Sequence, residues 1–563
     1  MNDRQQKLLR DEAIEHTLAL NPLVGVSSEE LLGAAKSTAY QAVRQPLSLL
    51  KAGAGYSKKL VEVGFGKRSY EVAPKDRRFG DTAWKTSWVH RGLLQSYLAF
   101  VETLDEWVDD AEFDELDERR ARFVTRIISD SIAPTNAFVS NPAAVKQVVE
   151  SGGRSLVQGL KNFVDDRRHN NGMPSQVDKA AFTLGENLAR TKGSVVFRNE
   201  MLELIQYAPT TDKVHRRPLL FIPPQVNKFY FYDLSPEKSF FKYCVDEGLQ
   251  VFTVSWRNPN AEHADWGIDH YISALKEAIA VIQGISGSKT INVAAPCSGG
   301  ITATILAGHY KALGQEVINA MTLPVCVLQQ DDGDTDLTLF VNERAIEASR
   351  SNSRKNGVLK GKDLAKIFAW MRPNDLIFNY MVNNYLLGNS PPVFDILYWN
   401  NDPTNLPAQL HSDFLDIIGT DALARPGDLS VCDTEIDLTS VNNDLFLIGG
   451  LTDHLTPWQA CYRTTHLMGG DKEFLLVGSG HIQSLVGSPK NPKARYFLNS
   501  DTPHAAKDWL SGAAETQGSW WPHWSEWIRT RSGAQKKAPA KVGSKIHSPL
   551  CDAPGSYVLE PAA

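Results

Sequence analysis

The arrangement of apolar positions changes character near residue 202. Before that point the chain reads as helical. In RGLLQSYLAFVETLDEWV (91–108), Leu93, Leu94, Tyr97, Val101, Leu104 and Val108 recur at the spacing of one helix face. Residues 1–201 are therefore expected to form a helical N-terminal domain. From Leu202 onward, short apolar runs alternate with helical stretches. Pro218–Pro224 (PLLFIPP), Leu249–Trp256 (LQVFTVSW), Thr290–Ala295 (TINVAA), Ala320–Leu328 (AMTLPVCVL), Leu445–Gly450 (LFLIGG) and Glu473–Val477 (EFLLV) each read as a buried strand. Helical patterns lie between several of them, at 271–285 and 301–310. Apolar strands separated by helices predict an α/β domain, over 202–531, with a parallel sheet covered on both faces.

The rhythm breaks between the fourth and fifth of these runs. The ~100 residues from about 331 to 435 are too many for a plain crossover. They include the aromatic and Asn-rich run IFAWMRPNDLIFNYMVNNYLLGNSPPVFDILYWNNDP, which predicts a cap inserted over the carboxyl edge of the sheet. Beyond the last strand, Trp509, Trp520, Trp521, Trp524 and Trp527 mark a helical stretch whose rings are expected to serve packing. Residues 532–563, rich in Lys, Ala, Pro and Gly, read as a flexible tail.

Composition narrows the class of protein. With 563 residues, 42% hydrophobic and 22% charged, the chain is ordinary for a globular protein of two domains. Lys+Arg 59 against Asp+Glu 65 gives a formal charge of −6, which argues against a nucleic-acid binder. No apolar stretch approaches the roughly 20 residues that span a bilayer. The N-terminus, MNDRQQKLLRDEA, lacks the apolar core of a signal peptide, so a cytoplasmic location is expected. The six cysteines (Cys244, Cys297, Cys326, Cys432, Cys461, Cys551) form no CxxC pair and no zinc-type cluster, and no metal is expected. There is no P-loop or dinucleotide fingerprint, and no cofactor is expected.

Against that background one segment stands out, Ala295-Pro296-Cys297-Ser298-Gly299-Gly300. It joins a predicted strand to a predicted helix, the setting of a nucleophile elbow with Cys in place of Ser. Such a turn needs small residues two positions either side of the nucleophile, here Ala295 and Gly299. It also leaves the Ser298 backbone N–H at the helix start, where an oxyanion would form. In this fold an acid and a histidine follow the nucleophile, each after a late strand. Asp453 follows LFLIGG and His481 follows EFLLV, in that order. His454, beside Asp453, is a rival for the acid–base role. A thiolate converts one thioester into another at little thermodynamic cost, so cysteine favours acyl transfer over hydrolysis.

Long runs carry a resemblance well beyond the elbow. They include DRRFGDTAW (76–84), PPQVNKFYFYDLSPEKSF (223–240), PCSGG (296–300), FAWMRPNDLIFNYMVNNYLLG (368–388), DHLTPWQ (453–459) and SGHIQS (479–484). Over nearly its whole length the chain resembles the polyhydroxyalkanoate synthases. It is most similar to the single-subunit, medium-chain-length type (class II) of pseudomonads. The resemblance implies an α/β-hydrolase fold with a Cys297–His481–Asp453 triad. It also implies an acyltransferase that polymerises (R)-3-hydroxyacyl-CoA into polyester with release of CoA. Cys297 would take the acyl chain and His481 would be its base. Asp453 would orient His481 or help deprotonate the 3-hydroxyl of the next monomer. Ala295-Pro296 departs from the family's usual Gly and small residue but leaves the nucleophile in place. The family further implies a homodimer, residence on the polyester granule surface and granule-coat proteins as partners. Rival readings are a thiol hydrolase, such as a thioesterase or polyester depolymerase, and a catalytically silent granule-coat protein.

Overall fold

The computed structural model describes residues 28–73, 76–330, 343–453 and 455–562. They divide into two compact units. One holds the described residues of 26–178 together with 366–393, and the other holds those of 179–365 and 394–563.

The first unit is helical, with helices Ser28–Arg44, Pro46–Gly64, Trp88–Asp110, Glu115–Ile132, Pro142–Glu150 and Arg154–His169. Its apolar stripes close around Phe79, Trp84, Leu94, Tyr97 and Ala133, as the periodicity at 91–108 predicts. Local chemistry sets the helix starts. The Asn141 side chain accepts from the N–H groups of Ala143 and Ala144 at 3.0 and 3.3 Å, and Pro142 follows it at a position where no N–H is needed.

The expected single cap over 331–435 is instead divided. Residues 331–342 lie outside the described residues, and 366–393 join the helical unit. There, two π-helical turns pack on the helices, Asn374–Phe378 against Glu115–Ile132 and Val382–Leu386 against Arg154–His169. Asn162 Nδ2 donates to the carbonyls of Asn384 and Asn389, both at 2.9 Å. Tyr385 donates its hydroxyl to the buried Asp166 at 2.8 Å. A Cβ on Gly159 would lie 2.0 Å from the Tyr385 carbonyl oxygen, so the approach requires glycine. These contacts join residues more than 200 positions apart, which periodicity does not register.

The second unit is built on an eleven-stranded sheet. It opens with the antiparallel β1 (Gly193–Arg198) and β2 (Leu202–Tyr207), then a short β3 (Lys213–His215). The first strand thus lies inside the region expected to be helical, where GSVVFR brings β-branched residues together. Next come β4 (Leu219–Phe221), β5 (Val251–Trp256), β6 (Ile291–Ala294) and β7 (Ile318–Pro324). Two small antiparallel pairs intervene, β8 (Val358–Leu359) with β9 (Leu406–Pro407) and β10 (Leu429–Val431) with β11 (Thr434–Ile436). The sheet resumes with β12 (Asp444–Gly450), β13 (Lys472–Val477), β14 (Arg495–Leu498) and β15 (Ala514–Gln517).

All six runs read as strands are strands, and together they form the parallel centre, in the order β13-β12-β7-β6-β4-β5. Helices Ile268–Ser286 and Cys297–Ala312 follow β5 and β6. The second of these is buried on every face from Cys297 through Tyr310, its few polar side chains included. The tryptophans pack as expected: Trp509, Trp520, Trp521 and Trp524 are fully buried, and Trp524 Nε1 donates to Thr322 Oγ1 on β7 at 2.9 Å.

The C-terminal segment, expected to be a flexible tail, is ordered. β16 (Gln535–Lys537) pairs with β3, and β17 (Cys551–Asp552) pairs with β1 at the sheet edge. Pairing to an edge uses backbone groups and needs no apolar side chains, so a composition typical of tails does not exclude it.

Gly159→Ala offers a test of how the insertion is held. Alanine favours a helix by about 1 kcal/mol over glycine, but overpacking against a backbone oxygen costs about 1–3 kcal/mol. The clash should win. Hydrogen exchange at 382–390 should rise about tenfold or more while the sheet keeps its protection, and unchanged exchange there would contradict the packing.

Candidate active site

Strand β6 ends at Ala294, and the Ala295 N–H donates to the Thr322 carbonyl on β7 at 2.9 Å. Pro296 is extended at φ −85°, and Cys297 then turns to φ +50° as the first residue of its helix. Proline suits this position because a helix start needs no N–H there. The departure at Ala295-Pro296 therefore fits the turn. The left-handed conformation costs an L-residue about 1–2 kcal/mol. Packing enforces it. A Cβ on Gly299 would lie 2.3 Å from the Ile222 carbonyl oxygen, and one on Gly300 2.6 Å from Cys326 Sγ. Gly299 lets the helix start press against the loop that follows β4, and Gly300 lets it press against Cys326 after β7.

That loop contributes a residue the sequence did not single out. The buried Gln225 accepts from Ser298 Oγ at 3.1 Å and donates from Nε2 to Thr302 Oγ1 at 2.8 Å. Ser298, expected to serve through its backbone N–H, is fully buried at the helix start.

The other two candidates meet at the ends of β12 and β13. Asp453 Oδ2 lies 2.7 Å from His481 Nδ1. Thr456 Oγ1 donates to the same Asp453 oxygen at 2.7 Å and lies 3.1 Å from the His481 nitrogen. The N–H groups of Leu455 and Thr456 donate to Asp453 Oδ1 at 2.9 and 3.1 Å. Four donors thus surround one buried carboxylate. Thr456 was missed in the sequence, although its place three residues after Asp453 is the spacing of a side-chain-capped turn. Gly450 permits the close approach, since a Cβ there would lie 2.6 Å from Ser484 Oγ. His454 lies outside the described residues.

Burial opposes charge at both partners, but their mutual attraction outweighs it. Asp453 is held below the usual carboxylate range by the His481 ring and its hydrogen bonds. His481, buried, is pushed up to about 10 by the Asp453 carboxylate, with hydrogen bonding and charge at Cys297 acting in the same direction. The structure therefore brings Cys297, His481 and Asp453 together. Burial pushes the thiols of Cys244, Cys326 and Cys461 well up, which keeps them protonated and inert. Among the described residues no group of three or more His, Cys, Asp and Glu could hold a metal ion, and no helix is long and apolar enough to cross a membrane.

A central parallel sheet with this elbow, and with an acid and a histidine after its late strands, defines an α/β-hydrolase with cysteine at the elbow. The sequence model of the alpha/beta hydrolase fold accordingly matches residues 230–488. The model described as "Poly-beta-hydroxybutyrate polymerase (PhaC) N-terminus" matches residues 75–244. The chain is 48% identical over 560 residues to poly(3-hydroxyalkanoate) polymerase 1 of Ectopseudomonas oleovorans, covering all of both chains. It is 46% identical to polymerase 2 of that organism, over 96% of each chain. It is 39% identical to the polymerase subunit PhaC of Cupriavidus necator, over 86% of this chain and 83% of that one. The chain belongs to the poly(3-hydroxyalkanoate) polymerase family.

The linkage has a definite sign. With its pKa raised, His481 stabilises the fold fully below about pH 6.5, its unfolded value, and loses that contribution as pH rises through about 10. Asp453, with its pKa lowered, contributes above about pH 4 and loses the contribution as pH falls further. In Asp453→Asn the attraction that outweighs burial is lost and only the contribution of Cys297 still favours the charged ring, so His481 should titrate below its wild-type value. NMR of labelled histidine at pH 7.5 should show a protonated ring in the wild type and a neutral one in the variant. A ring that stays protonated in Asp453→Asn would contradict the assignment.

Proposed function

We propose that this acyltransferase polymerises (R)-3-hydroxyacyl-CoA of medium chain length into polyester, releasing CoA, with the growing chain held as a thioester on Cys297. The observation that carries the reading is the Asp453–His481 pair, 2.7 Å apart on the loops after β12 and β13, acting on a cysteine at the strained elbow. The full-length similarity to two Ectopseudomonas polymerases supports the reaction class. The medium chain length rests on the resemblance of the long sequence runs to the class II type.

The proposed chemistry follows from the geometry. The His481 imidazolium stabilises the Cys297 thiolate, which attacks the thioester carbonyl carbon of the incoming acyl-CoA. The oxyanion is met by the Ser298 N–H and by an N–H of the loop after β4. Ile222 N–H is already given to the Ala294 carbonyl, and Pro223 and Pro224 have none, so Gln225 and Val226 are the first candidates. Collapse of the intermediate breaks the carbon–sulfur bond to CoA, whose sulfur leaves with the His481 proton. His481, now neutral, takes the proton from the 3-hydroxyl that attacks the next thioester. Asp453 is poorly suited to that step, because a carboxylate saturated by four donors and held below its usual range is a weak base. Its role is to hold His481 in one tautomer.

The same reading places the enzyme as a cytoplasmic homodimer on the polyester granule surface, among granule-coat proteins. Leu156, Val157, Leu160 and Phe163, exposed at helical spacing on Arg154–His169, support association with an apolar surface.

Incubation with 3-hydroxydecanoyl-CoA, following free CoA thiol and insoluble polyester together, tests the proposal. Both should appear in the wild type. Cys297→Ala should retain less than about a thousandth of the rate, while replacement of Cys244, Cys432 or Cys551 should leave most of it. Free CoA without polymer would make the chain a hydrolase instead.

A further inference from the structure

We propose that Lys228 is a positioning residue for the oxyanion side of this site, and that the last residues of the chain hold it in place. The inference rests on the acyl-transfer reading above and deepens it.

The loop from Ile222 to Lys228 (IPPQVNK) forms one wall of the elbow. Its carbonyls crowd Gly299, and Gln225 clasps Ser298 and Thr302. Pro223 O accepts from Trp256 Nε1 at 2.8 Å, and Gln225 O accepts from Thr404 Oγ1 at 2.8 Å. Gln225 and Val226, the first candidates for the second oxyanion donor, precede Lys228 by three and two residues. Val226 O also accepts from the Thr404 N–H at 3.3 Å and Asn227 bridges to Pro403, so the segment is held along its length and its far end is set at Lys228.

At the far end, Lys228 is only 7% exposed. Its ammonium has three donors, and three acceptors meet them: Val558 O at 2.7 Å, Glu560 O at 3.0 Å and Asp402 Oδ1 at 2.8 Å. Its own carbonyl accepts from Trp399 Nε1 at 2.8 Å. Two of the three acceptors are therefore main-chain groups of the chain's last turn. That turn is itself pinned. The buried carboxylate of Glu203 on β2 accepts from the N–H groups of Ser556 and Tyr557 at 2.9 and 3.0 Å, and from Arg198 Nε at 2.8 Å. A buried ammonium is a costly way to obtain stability, since apolar packing of the same volume often serves better. What this joint adds is geometric. It closes only when the C-terminus lies on the sheet, and it then fixes the loop that faces the oxyanion.

Two variants separate positioning from folding. Lys228→Met removes the donor. A chain ending after Tyr557 removes both carbonyl acceptors and keeps the Lys228–Asp402 ion pair. Each is assayed in two ways. CoA release from 3-hydroxydecanoyl-CoA requires oxyanion stabilisation, whereas alkylation of Cys297 by iodoacetamide displaces iodide and develops no oxyanion. A small displacement of an oxyanion donor costs about 10²-fold in rate. Both variants should lose about that much in kcat, with KM within about threefold and the alkylation rate within about twofold of wild type. A parallel fall in alkylation and acyl transfer, a kcat within about threefold of wild type, or failure of both variants to fold would each overturn the inference. Failure of the wild-type chain to release CoA would instead remove the acyl-transfer reading beneath it.

Discussion

Cys297 holds φ at +50°, where a cysteine does not rest unaided, and the packing around it leaves no alternative. The chain leaves β6 through a hydrogen bond from Ala295 to Thr322, and the extended Pro296 points it into the turn. Gly299 and Gly300 then bring the helix against the Ile222 carbonyl and Cys326 more closely than any side chain allows. A helix buried from Cys297 through Tyr310, following a central strand of the parallel sheet, holds the turn from behind. Relaxation of the elbow would disrupt the core, so the strain is retained where a nucleophile needs it.

Electrostatics completes what the backbone begins. A histidine buried alone would lose its proton, and a carboxylate buried alone would gain one. Placed 2.7 Å apart, each reverses the other's tendency. Leu455 and Thr456 donate to the same carboxylate, so its charge is fixed facing the ring. The product of this coupling is a cation beside the elbow thiol. In the proposed reaction that cation is what allows cysteine to exchange one thioester for another at neutral pH.

What could be read in the sequence follows the same physics. Parallel strands buried on both faces are nearly continuous apolar runs, so β4, β5, β6, β7, β12 and β13 were legible as such. The order of Cys297, Asp453 and His481 after three of them was legible for the same reason. Thr456 and Gln225 were not, because a hydroxyl and an amide of ordinary composition take on a role only when tertiary contacts bring a partner. The fate of 366–393 was hidden in backbone contacts, with Asn162 reaching carbonyls of residues more than two hundred positions away. The C-terminal segment misled through its composition. Lysine, proline and glycine are common in tails, yet the ladder of β17 on β1 and the Glu203 clamp use mainly main-chain groups.

Acyl transfer at this site requires an acyl group to reside on the elbow cysteine. Rapid quenching of the enzyme during turnover of 3-hydroxydecanoyl-CoA, followed by proteolysis and mass spectrometry, addresses this directly. One or more hydroxyacyl units are expected on the peptide containing Cys297, held by a bond that hydroxylamine cleaves. Polymer formation with that peptide unmodified, or with the acyl group on a different residue, would contradict this requirement.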